Sequence, residues 1–184
     1  MKHINKYIQE KLKISKSTLN QSILFPNSKE ELQDMIKKEV KEKGNHCSLN
    51  HIDVSKIIDM SGLFDDSDLF YFNGNISDWD VSNVKDMKLM FFGCDFNGDL
   101  SDWEVSNVEN MAGMFSNSKF NNDSICDWDV SNVKSMAVMF NNCDFNQDIS
   151  HWKINPDCRI VEMFSINYKM KAKYKPFKNG ERIK

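Results

Sequence analysis

Six carboxylates recur at two fixed positions around a repeated tryptophan. Asp78, Asp102 and Asp127 stand one residue before it, Asp80, Glu104 and Asp129 one residue after it, and Ser82, Ser106 and Ser131 three residues after it. If these residues lie in a short strand, tryptophan points inward while its acidic neighbours and the serine point outward. Stacked copies then place the six carboxylates on one small face, with neighbouring strands about 4.8 Å apart. Like charges directly opposite one another are unfavourable, and a fold does not need them there. Such a face suits a basic surface on a protein partner, with ionic attraction steering association. Duplication of a soluble surface motif, with the repulsion tolerated in water and salt, is the other reading.

Other reactive side chains form no catalytic constellation. Asp95-x-Asn97-x-Asp99 and Asp144-x-Asn146-x-Asp148 space oxygen ligands as the first half of a calcium loop does, but position six is Leu100 or Ile149 and position twelve Ser106 or Asn155. These residues fit better as turn formers, and Asn83, Asn107 and Asn132 as caps for backbone groups beyond the strand. The five cysteines (Cys47, Cys94, Cys126, Cys143, Cys158) include no CxxC pair, which fits free thiols in a reducing compartment. Cys94 and Cys143 occupy a position that holds Ser118 in the copy between them, and no histidine recurs beside them to activate a thiol. His3, His46, His51 and His151 form no metal-ligand set, and no phosphate-cradling loop or nucleophile elbow occurs. No enzyme activity, cofactor or metal is expected.

The elements that position the acidic residues follow from the repeat itself. Trp79, Trp103, Trp128 and Trp152 are spaced by 24, 25 and 24 residues. Columns of Phe72, Phe96, Phe120 and Phe145, of Met90, Met114, Met139 and Met163, and of Phe91, Phe115, Phe140 and Phe164 accompany them. A less regular copy runs from Ile52 to Phe64, giving five turns. Within a copy the apolar period changes from two around Trp-x-Val to three afterwards, predicting one short strand and one short helical segment per turn. The expected fold is an α/β repeat solenoid with an N-terminal helical cap, its apolar columns forming a continuous core.

The recurring W-D-V-S-N-V-x-x-M-x-x-M-F-x-x-C-x-F-N-x-D-I-S resembles the repeat of the BspA-type leucine-rich-repeat family, also described as mycoplasma-lipoprotein-type surface repeats, over about residues 51–166. That resemblance implies a leucine-rich-repeat-like solenoid and a non-enzymatic binding role, often at bacterial surfaces, with related repeats in phage and intracellular settings.

Three segments are expected: an N-terminal helical cap at 1–50, the repeats at 51–166 and a basic C-terminal tail or cap at 167–184. Residues 3–13 and 28–43 carry amphipathic stripes, the second with Asn27 or Ser28 as cap and Gly44 as stop. The last turn is atypical, with Asp157 where a buried Val is expected. Charge is segregated: 10 Lys oppose 6 acids over 1–50, 7 basic oppose 20 acidic residues over 51–166, and 7 basic oppose 1 acidic over 167–184. An acidic centre between basic ends concerns partners and fields rather than fold. No stretch reaches the length of a membrane helix and no standard secretory signal is recognised, so a cytoplasmic location is expected, with a surface location implied only by the family resemblance. Nucleic-acid association through Lys169, Lys171, Lys173, Lys175, Lys178 and Arg182 is the alternative function, opposed by the acidic centre. A phage-type inhibitor whose acidic face mimics nucleic acid is a variant of the first reading.

Overall fold

The computed structural model describes residues 23–178 and 181–182; the stripe at 3–13 lies outside the described residues. One α-helix, α1 (Lys29–Lys43), forms where the stripe at 28–43 predicts it. Ser28 is its N-cap, Oγ accepting from the Glu31 N–H at 3.2 Å; Glu30 and Glu31 lie in the first turn, Lys41 and Lys43 in the last. Gly44, with φ 86°, stops the helix, and its N–H donates to the Val40 carbonyl at 2.8 Å. Leu32, Ile36 and Val40 bury the inward stripe in the common core. Lys29 reaches Asp59 at 3.1 Å and Ser61 at 3.0 Å, Lys37 reaches Asp66 at 2.7 Å, and Gln33 Nε2 donates to the Leu63 carbonyl at 3.1 Å, so α1 closes the first copy of the repeat.

The repeats themselves do not form the expected α/β solenoid. Among the described residues the regular structure beyond α1 consists of three short 3₁₀ segments (Ser67–Leu69, Asp123–Ile125, Ala172–Tyr174) and a two-residue antiparallel pair, β1 (Phe177–Lys178) with β2 (Glu181–Arg182). No sheet runs through the copies. In its place isolated parallel bridges connect Asp59 to Asp86, Asp86 to Asn110, Asn110 to Ser135 and Ser135 to Arg159. Cross-copy bonds follow from Met60, Met87, Met111 and Met136 N–H to the carbonyls of Asp86, Asn110, Ser135 and Arg159, at 2.8–2.9 Å.

Two features keep these bridges from lengthening into strands. Positive φ recurs at Gly62, at Leu89 and Gly93, at Gly113 and Asn117, at Val138 and Asn142, and at Glu162 and Ile166. A left-handed residue reverses the local chain direction, so each copy turns back within four residues. On the tryptophan side, side chains replace the backbone ladder. The indole N–H groups of Trp79, Trp103, Trp128 and Trp152 donate to the carbonyls of Leu49, Ile76, Leu100 and Cys126 at 3.0, 3.1, 3.2 and 2.8 Å. The amides of Asn83, Asn107 and Asn132 donate to the Ser55, Ser82 and Ser106 carbonyls at 2.8–2.9 Å.

The copies nevertheless stack in register. Phe64, Phe91, Phe115, Phe140 and Phe164 form a ladder with centroids 5.1, 5.5, 5.8 and 5.5 Å apart. Tryptophan rings lie 6.4 and 6.5 Å apart, and the Phe72, Phe96, Phe120, Phe145 ladder has spacings of 6.2, 6.4 and 6.1 Å. The rings of the Phe64 ladder are thus more closely stacked than those of the tryptophan and Phe72 ladders. A third ladder, from Asn73 to Asn97, Asn121 and Asn146, satisfies backbone donors of the next copy: each Oδ1 accepts from residue Asn97, Asn121, Asn146 or Lys171 N–H at 2.8–3.0 Å. In the last copy Pro156 and Asp157 lengthen the loop after Trp152, and the place of the expected buried Val is filled by Cys158, with Asp157 exposed.

Candidate functional site

The alternation around each tryptophan holds even without strands. Trp79, Trp103 and Trp128 are buried with Val81, Val105 and Val130, while Asp78, Asp80, Asp102, Glu104, Asp127 and Asp129 are all exposed on one side of the stack. The exposure of these six carboxylates leaves their mutual repulsion screened by water and salt.

The two acidic columns differ in what they bond. Asp80 Oδ1 accepts from the Ser82 N–H at 3.1 Å and the Ser82 hydroxyl at 2.6 Å; Glu104 Oε1 accepts from the Ser106 N–H at 3.2 Å, and Asp129 Oδ1 from the Ser131 N–H at 3.0 Å. These carboxylates hold the turn as the chain passes valine. The Ser131 hydroxyl and N–H keep the Asp129 carboxyl below its usual range. Asp78 accepts from the Ser77 hydroxyl at 3.3 Å, and Asp127 lies 3.6 Å from His151 Nε2. Ser82 and Ser106 are half-buried and Ser131 is exposed, so the serines contribute chiefly as turn donors.

A shallow groove of about 620 Å³ opens between the copies of Trp103 and Trp128, lined by Asp102, Glu104, Asp123, Asp127 and Asp129 above the two indoles. Asp123 belongs to this groove although the repeat pattern did not single it out. It sits in the 3₁₀ segment Asp123–Ile125, whose signal in the sequence is the one extra residue between Trp103 and Trp128. Asp78 and Asp80 lie one copy away and do not line it. By the offset between the first two copies His51 aligns with Asp78 and would head that exposed column; instead it is buried beneath α1, with Nε2 3.1 Å from Glu39.

The second carboxylate set is committed to turns and pairs. Asp99 Oδ1 accepts from the Ser101 N–H at 2.9 Å, Asp148 Oδ1 from the Ser150 N–H at 3.0 Å, and Asp95 pairs with Lys119 at 2.9 Å. Among the described residues no group of three His, Cys, Asp or Glu side chains could hold a metal ion. Cys94 donates to the Phe72 carbonyl at 3.4 Å and Cys143 to the Phe120 carbonyl at 3.4 Å. Burial pushes the Cys94 thiol up to about 12 and raises that of Cys143, opposite to what a nucleophile requires.

In the basic tail Lys169 pairs with Asp144 at 2.7 Å, Lys171 and Lys173 lie over the Tyr174 ring, and Lys175 lies over Phe164. These cations face the chain's own aromatic and acidic groups. The side chains of Lys178 and Arg182 lie outside the described set. No helix of the described residues is long and apolar enough to cross a membrane.

The same columns account for the comparison with known families. The model of the family described as Mycoplasma protein of unknown function, DUF285, matches residues 30–152 and again 116–181. The chain belongs to this family. The two DUF285 matches overlap over residues 116–152 and together run from α1 into the tail, so most of α1 and the last copy fall within the matched residues. No curated protein and no solved structure matches the chain.

Proposed function

We propose that this DUF285 chain is a non-enzymatic protein-interaction module that docks a basic surface of another protein on its acidic face. The observation that carries the reading is the exposure, on one side of a regular stack, of Asp78, Asp80, Asp102, Glu104, Asp127 and Asp129, four of which (Asp102, Glu104, Asp127 and Asp129) line the Trp103–Trp128 groove together with Asp123. Buried indoles fix the pitch of that face, so its charges are presented on a preorganised surface. Ionic attraction of this kind governs encounter and weakens as salt rises. The likeness of the repeat to the BspA-type group supports a binding role in place of catalysis.

The test is affinity capture from a lysate at low and moderate salt, comparing the native chain with one carrying Asp78→Asn, Asp80→Asn, Asp102→Asn, Glu104→Gln, Asp127→Asn and Asp129→Asn. Amide oxygens still accept the turn bonds from Ser82, Ser106 and Ser131, so the variant folds. The expected result is a partner with a basic surface, captured more weakly at the higher salt and lost in the variant. Equal capture by both chains removes the acidic face from the function.

A further inference from the structure

Glu39 and His51 are the two buried ionisable side chains at the seat of α1, 8% and 4% exposed. The carboxylate oxygen Glu39 Oε2 receives both His51 Nε2, at 3.1 Å, and Lys43 Nζ, at 2.5 Å. Elsewhere α1 is tied to the stack through its first half, by Lys29, Gln33 and Lys37. Among the described residues, the polar contact between Glu39 in the second half and the stack passes through a group that changes charge near neutrality.

We propose that His51 is a pH-sensitive latch: gaining a proton in the mildly acidic range unseats the C-terminal half of α1 from the first copy of the repeat. With the imidazole neutral, one buried carboxylate faces one ammonium. A second proton sets two cations against that single carboxylate and places one of them out of contact with water. The charged groups acting on His51 are Glu39, which favours the proton, and Lys43, which opposes it, both from α1; burial opposes it most strongly. Cys47, in the loop after α1, stays a neutral thiol, because burial and Glu39 raise its pKa. The seated form therefore binds the proton less readily than the unseated form, whose imidazole titrates near 6.5. Stability of the seat is present above that value and falls as pH drops below it, with an opening constant that rises at most about tenfold per pH unit for one proton.

The experiment is amide hydrogen exchange of Ile36–Val40 between pH 7.5 and pH 5, corrected for intrinsic exchange, with the core segment around Met111–Phe115 as internal reference. The native chain is compared with His51→Gln, which keeps a donor toward Glu39 and does not titrate. The expected result is an α1 opening constant that rises toward the one-proton limit below the ordinary histidine range, a flat profile in His51→Gln, and an unchanged reference segment. The same protection at both pH values, or the same pH dependence in the variant, overturns the latch. Should His51→Gln fail to fold, the ring titration of His51 in the native chain decides: a midpoint below 6.5 that tracks α1 opening supports it, and one at or above 6.5 overturns it.

Discussion

Replacing Trp103 by Phe measures how much of the stack is held by side chains. Trp103 is 3% exposed, lies between Trp79 and Trp128 at 6.4 and 6.5 Å, and donates its indole N–H to the Ile76 carbonyl at 3.1 Å. That carbonyl also accepts from the Trp79 N–H at 3.2 Å, so it is not orphaned by the change. The loss is then the net value of one hydrogen bond, about 1 kcal/mol, and not the full cost of a bare buried acceptor. Removing the five-membered part of the indole forfeits roughly another 1 kcal/mol of apolar burial. The space left behind, where stacked neighbours cannot collapse freely, adds up to about 1 kcal/mol. The expected destabilisation is about 2–3 kcal/mol, a fall in Tm of roughly 5–10 °C for a chain of this size. Urea unfolding followed by the fluorescence of the other three tryptophans, at unchanged m-value, is the assay. The control is Asn107→Ala, which removes the Asn107 Nδ2 bond to the Ser82 carbonyl in the same pair of copies, but at an exposed position worth about 0.5 kcal/mol or less. If Trp103→Phe costs under about 1 kcal/mol, or no more than Asn107→Ala, the indole column does not hold the copies together.

Three further outcomes follow from the packing. A Cβ at Gly74 would stand 2.1 Å from the Cys47 carbonyl oxygen, whereas at Gly98 the nearest atom, at 2.7 Å, belongs to the Phe96 ring and the nearest backbone atom is 3.5 Å away. Gly74→Ala should therefore cost about 2–3 kcal/mol and Gly98→Ala distinctly less by urea unfolding; equal costs would contradict the close backbone approach. Ile166, β-branched, 53% exposed and at φ 57°, occupies the column that Asn117 and Asn142 fill in earlier copies. Ile166→Asn should stabilise by about 0.5–1 kcal/mol in calorimetry, and a lower Tm would refute the strain assigned to that position. Cys94 and Cys143, buried and raised in pKa, should resist a thiol reagent at pH 8 until denaturant is added; labelling of either in the native chain would show that the interior opens.

The core was legible because its residues repeat. Trp, Met and Phe columns announce which side chains stack, and Ser28 with Gly44 announces where α1 begins and ends. What the pattern could not convey is who supplies the bonds between copies. An inward Trp and Val with outward carboxylates looks the same whether backbone or indole and amide groups make the cross-copy contacts; on the tryptophan side the side chains make them, while backbone bonds join the copies from Met60 to Phe64 and at the equivalent positions beyond. Residue preference also misleads at Leu89, Val138, Glu162 and Ile166, which take left-handed conformations that their types disfavour because neighbouring copies dictate the path. The exposure of the six carboxylates was legible from spacing alone. His51 was misplaced because the pattern of its own copy says nothing of the helix that covers it, and Asp123 escaped because it belongs to an insertion and not to the repeat.

The stack is joined by backbone along one edge and by side chains along the other. Along Asp59, Asp86, Asn110, Ser135 and Arg159 the distance between copies is fixed by peptide geometry, which no substitution short of a break can lengthen. Along the tryptophans it is fixed by the reach of an indole and an amide. The spacing of charge that a partner meets is therefore set by side-chain bonds, so a substitution at a tryptophan or an asparagine, and not only at a carboxylate, reshapes the acidic face.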